Sequence, residues 1–141
     1  MSHANHNKEV CEFLHNNSEK KCNDWVVTTA YYSAYHFIKS TLFPGLRFCH
    51  DRRREYDFHS FEEYYRYYKK VNKSNRHDAI VYLTENYLSE IADEVQFLKD
   101  SCIEARYHDY NVKDDKADES VKELRSISDF MVKYESSKEE D

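Results

Sequence analysis

Two short segments bring together residue types that can handle phosphate and protons. In DWVVTTAYYSAYHFIKSTL, residues 24–42, His36 follows Tyr32 by one helical turn, so the two side chains share a face. A neutral imidazole there can act as acid or base near physiological pH, and a protonated one can hold a phosphate. In EARYHDY, residues 104–110, continued helix puts Arg106 and Tyr110 on one face, a positive fork beside a phenol, with His108 between them. That pairing suits phosphate and base contacts. A third group, Arg52, Arg53 and Arg54 with His50 and His59 around them, stands just ahead of the tyrosine-rich run EYYRYYKK. Guanidinium groups hold phosphates and aromatic rings stack on unpaired bases, so this region resembles a nucleic-acid surface.

Each group also has a plain structural reading. His36 can be a buried histidine bonded to a neighbouring helix. Arg106 can pair with Asp109 or a helix C-terminus while Tyr110 closes the core, and the arginine run can be a solvated stretch blunted by Asp51, Glu55 and Asp57. Metal chemistry finds less support. Cys11 and His15 are one turn apart and His3 and His6 lie near the start, yet no spacing supplies three or four ligands, so no metal and no cofactor are expected. A chain with one glycine cannot contain a P-loop, a G-x-G-x-x-G or a G-x-S-x-G.

The elements that would position these residues are helical. A lone Pro44-Gly45 pair among 141 residues leaves too few turn formers for an all-β chain. The expectation is a single all-α domain over 1–135, a bundle of four to five helices, followed by an acidic unstructured tail over 136–141. Helices are predicted at about 6–20, at 24–42 with Asn23 or Asp24 as cap, at 61–71, and along a run from Ala79 broken near 86–89 with Ser89 capping a new start. A charged connection over 113–119 then leads to a final helix capped by Ser120 and Glu123. The stretch 46–60 has no helical period and is predicted to be an ordered loop.

The 24–42 helix has two working faces. Val26, Val27, Ala30, Ala34, Phe37, Ile38 and Thr41 form a core stripe, while Trp25, Thr29, Tyr32, His36 and Phe43 gather opposite. An aromatic face needs a cover, and Trp25, Tyr32 and Phe43 are the candidate interface residues.

Net charge of −6 is unevenly spread: residues 1–46 are neutral, 47–76 hold nine Lys and Arg against five Asp and Glu, and 77–141 hold eight against eighteen. A basic middle on an acidic chain attracts phosphate locally. Four scattered cysteines without a C-x-x-C pair, a polar start lacking an apolar h-region and the absence of a long apolar run point to reduced thiols, a cytoplasmic location and no membrane partner.

DWVVTTAYYSAYH and EARYHDY resemble the second helix and the later Ala-Arg-Tyr segment of the HEPN family, helical-bundle domains of defence, toxin and nucleotidyltransferase-associated systems. The resemblance implies an up-and-down bundle that commonly forms homodimers and is linked to RNA or nucleotides. Its catalytic members cleave RNA without metal, using an Arg followed after four to six residues by a His. After Arg106 those positions hold Asn111, Val112 and Lys113; Arg52 to Arg54 stand at permitted distances before His59 but in the predicted loop. The expected function is RNA or nucleotide binding at Arg106, His36, His108, Tyr32 and Tyr110, with Arg52 to Arg54 and His59 as an outer surface. On this reading the domain is a divergent ribonuclease of a toxin–antitoxin-like or defence system. The alternative is a non-catalytic module whose second helix face docks a protein partner or its own copy.

Overall fold

A computed structural model describes the backbone at 2–51, 54–108 and 111–139, and the side chains there apart from positions 2, 46–51, 54–56 and 139. Arg52, Arg53, Asp109 and Tyr110 lie outside the described residues.

Among these residues the chain forms α1 (Ser2–Asn17), α2 (Asn23–Leu42), β1 (Leu46–Asp51), β2 (Arg54–Phe58), α3 (Phe61–Asn72), α4 (Arg76–Tyr87), a 3-10 turn (Ser89–Ile91), α5 (Ala92–Tyr107) and α6 (Asp114–Glu139). The fold is all-α, with six helices where four to five were expected. α2 is its axis: it packs on α1, α5 and α6, and twelve of its twenty residues are buried. The predicted stripe Val26, Val27, Ala30, Ala34, Phe37 and Ile38 is inside, with Thr41 half-buried at its end, and each buried Val, Ile or Phe side chain contributes about 1.5–3 kcal/mol. Facing residues include Val95 and Leu98 of α5 and Val121, Leu124, Ile127 and Met131 of α6.

Leu42 ends α2, and Gly45 follows Pro44 at φ +98°, a backbone region open to glycine. The predicted loop after it is instead an antiparallel hairpin. Leu46 stands opposite Phe58 and Phe48 opposite Tyr56, a two-residue apolar alternation. Ser60 caps α3 by accepting from the Glu63 N–H, while Glu63 Oε2 accepts from the His59 N–H at 2.7 Å.

Four predicted boundaries change. Asn23 does not cap α2: its side chain is buried and donates to the Val112 carbonyl and to Asp114 Oδ1 at 3.1 and 2.8 Å. The break near 86–89 exists, but a 3-10 turn makes it and Ser89 caps nothing. Ser120 is buried in mid-helix, donating to the Lys116 carbonyl, because α6 already starts at Asp114. Acidic residues in that first turn suit a helix N-terminus, and Lys116 ties it to Glu104 of α5 at 2.6 Å. At its other end α6 runs on through Glu139, so 136–139 are helical rather than an unstructured tail.

Candidate functional site

The second face of α2 lies along the divide between α1 and α5. Thr29 reaches Cys11 of α1, whose burial pushes its thiol up to about 11, and the next position, Thr28, reaches Cys102 of α5. Trp25 and Tyr32 remain open in that seam, 47% and 38% exposed, and Thr29 and His36 are half-buried. These are large rings left in water beside a well-filled core.

At one end of the seam the Arg106 guanidinium lies 4.6 Å from the Trp25 ring centre. Arg106 is exposed, as are its neighbours Tyr107, at 78%, and His108, the residue that closes α5. Tyr32 is within the field of both Arg106 and Tyr107; burial pushes its phenol above the usual range, with Arg106 opposing the shift. The result is a platform of three aromatic faces and one guanidinium, with the His108 imidazole exposed at the nearby helix end. Such a set can stack on a planar base while the guanidinium contacts a phosphate.

Behind Tyr32 the rings turn inward. Tyr31 is fully buried and its hydroxyl oxygen is 2.7 Å from His77 Nδ1 in α4. Burial, joined by Lys99 and opposed by Asp78, holds the His77 imidazole below its usual pKa, so it stays neutral at pH 7. Tyr35 meets Tyr32 edge-on at 6.2 Å and reaches Arg76, which lies 4.5 Å above the Tyr65 ring of α3. His77 and Tyr107 were not singled out from sequence; a lone histidine in a polar NRHD run carries no periodic signal.

A family model described as the HEPN domain matches residues 8–135. The chain belongs to the HEPN domain family. No characterised protein and no solved structure matches it.

Within this HEPN domain the predicted site residues separate. While His108 is exposed at the end of α5, two positions on from Arg106, the residues Arg106, Tyr32 and Trp25 share the platform. His36 does not join it: its ring lies 5.3 Å from that of His3 in α1, beside a cavity of about 360 Å³ lined also by Lys39 and Ser40. Eleven residues separate positions 25 and 36, about 16 Å of helix rise, so His36 and Arg106 of one copy stand at opposite ends of the seam. Burial, then Lys39 and His3, lower the His36 pKa. Phe43, predicted as an interface residue, is only 8% exposed and packs on Phe61 and Tyr64; α3 covers the end of α2 and draws it into the core. His59 is exposed and uses its backbone in the α3 cap. Arg52, Arg53 and Tyr110 lie outside the described residues, as does the Arg54 side chain.

A cavity of about 320 Å³, lined by Ser101, Glu104, Ala105, Lys113 and Lys116, opens on the other side of α5, since positions 104 and 106 point about 200° apart. Among the described residues no three His, Cys, Asp or Glu side chains are arranged to hold a metal, and no helix is long and apolar enough to cross a membrane.

Proposed function

We propose that this HEPN domain binds single-stranded RNA or a nucleotide on the Trp25–Arg106 platform, as a divergent member serving a cytoplasmic defence or toxin–antitoxin-like system. The observation that carries the reading is the exposed guanidinium stacked on the exposed indole, with Tyr32 and Tyr107 beside them. A core contact would be buried, and a solvated arginine would not need two more open rings around it. Stacking a base on such a surface contributes about 1–3 kcal/mol.

In its catalytic form the reading gives Arg106 the phosphate charge and His108 the proton transfers, with His36 contributing only from a second copy. Fluorescein-labelled oligouridine should bind the wild type at low salt and bind Tyr32→Ala and Arg106→Ala at least tenfold more weakly; equal affinities would refute the assignment. Cleavage of the same oligomer in EDTA, abolished by His108→Ala with binding retained, would identify the catalytic form.

A second reading rests on the crowding of Trp25, Tyr32 and Tyr107 on one face: the platform is a homodimer seam. Sedimentation would then show Trp25→Ala as a monomer of unchanged helicity and the wild type as a dimer. A wild-type monomer at all concentrations would exclude it.

A further inference from the structure

The exposed face of α3 carries a row of cations that the platform does not use. Arg66, Lys69 and Lys70 follow the spacing i, i+3, i+4, so the three lie within about 100° of the helix circumference, and Lys73, the left-handed residue that closes α3, continues the basic run at its end. The opposite side is Phe61, Tyr64 and Tyr68, all buried, which fixes the rotation of α3 and sends the row outward. Among the described residues none of the four is in an ion pair; the Glu62 carboxylate feels Arg66 but is taken by Arg76. Glu63 is committed to the His59 N–H.

Complementing the helix dipole would need only the last turn, and Arg66 stands in mid-helix. The row also borders the platform's aromatic system. Tyr65 flanks it, Arg76 covers Tyr65 at 4.5 Å, Arg76 reaches Tyr35, and Tyr35 contacts Tyr32. A row of unpaired cations beside aromatic rings matches the make-up of a polynucleotide track, in which charge follows the phosphates and rings take bases. An acidic protein segment would use the charges and have no need of the rings.

We propose that Arg66, Lys69, Lys70 and Lys73 bind the phosphodiester backbone of a single-stranded nucleic acid whose bases reach the Trp25–Arg106 platform. The identity of the ligand rests on the reading above, and the test separates the two. Anisotropy with fluorescein-labelled dodecauridine compares the full chain, a triple variant Arg66→Gln, Lys69→Gln, Lys70→Gln, and an equal charge change on α6, Lys122→Gln, Arg125→Gln, Lys133→Gln. All six positions are exposed. The α3 triple variant should bind at least tenfold more weakly at low salt and lose about 2 from the slope of log affinity against log salt, at about 0.7 per single-strand phosphate; the α6 variant should match the wild type. Should the triple variant lose helicity by circular dichroism, Lys69→Gln and Lys70→Gln singly should each lower the slope by about 0.7. Equal behaviour of the α3 and α6 variants overturns the proposal, as does displacement of dodecauridine by an oligoglutamate of equal charge at equal concentration. Uridine monophosphate quenching of Trp25 fluorescence tests the platform alone: its absence counts against the platform, while a slope change confined to α3 still supports the track.

Discussion

The Arg106 guanidinium carbon lies 4.6 Å from the centre of the Trp25 ring, joining the last turn of α5 to the first turn of α2. Both residues are exposed, so the contact contributes only about 0.5–1 kcal/mol to stability. Arg106→Ala should therefore lower the unfolding free energy in urea by about that amount and leave a folded protein for binding assays. A loss above about 3 kcal/mol would mean that Arg106 is a structural residue, not a ligand contact.

Asn23 holds the loop that follows Arg106 and His108. Its buried amide donates to Val112 and Asp114, which water can reach once it is gone, so Asn23→Ala costs about 0.5–1.5 kcal/mol. Nucleic-acid affinity should fall as well, because the connection between α5 and α6 loosens beside the platform. Thermal melts with anisotropy on the same variant check both; a stability loss with unchanged affinity would uncouple the loop from binding.

His77 makes the fold sensitive to acid. Its folded pKa is lowered by burial and Lys99, so the unfolded chain binds a proton more readily. Its contribution is full above the ordinary value of about 6.5 and is lost as pH falls through that value toward the folded one. Once protonated, His77 Nδ1 can only donate to the Tyr31 hydroxyl oxygen, 2.7 Å away. His77→Asn should flatten the loss of stability between about pH 7 and pH 5, measured as urea midpoints; an acid limb as steep as that of the wild type would contradict it.

Glu123 acts with the opposite sign. Burial and a hydrogen bond that the protonated Glu123 carboxyl donates to Glu119, with the fields of Glu119 and Glu94 added, push its pKa up to about 7. Glu94 Oε2 is buried without a hydrogen-bond partner. A carboxyl whose folded pKa exceeds its unfolded one destabilises the fold when ionised, from about pH 4.5 upward and fully above about pH 7. Glu123→Gln should thus raise the urea midpoint at pH 8 and leave it unchanged near pH 4.5. No gain at pH 8 would refute the crowded-carboxylate account.

The helices were legible where one face alternates with the other at 3.6 residues per turn: the stripe from Val26 to Ile38 and the run from Ala79 to Ala105 both read through to the core. The hairpin was not, because the alternation of Leu46, Phe48, Tyr56 and Phe58 is interrupted by a cluster of charged residues. The start of α6 was misread because Ser120 and Glu123 match a capping pair, whereas the helix already runs from Asp114, burying Ala117 and bonding Lys116 to Glu104. In the site, Trp25, Tyr32, Arg106 and His108 were legible as types. The pairing of Arg106 with Trp25 rather than His36 depends on how far α5 runs along α2, which no local pattern encodes. Phe43 was misplaced because the face of α2 was extended past the helix end, into a segment that α3 covers.

Trp25 is the chain's single tryptophan, so its fluorescence reports on the platform without a label. Titration of the full chain with uridine 5′-monophosphate at low salt should quench that emission to saturation, and in Arg106→Ala the half-saturating concentration should rise at least tenfold. Emission that does not change with nucleotide in the wild type, or saturates equally in Arg106→Ala, would contradict the assignment of Trp25 and Arg106 as a base- and phosphate-binding pair.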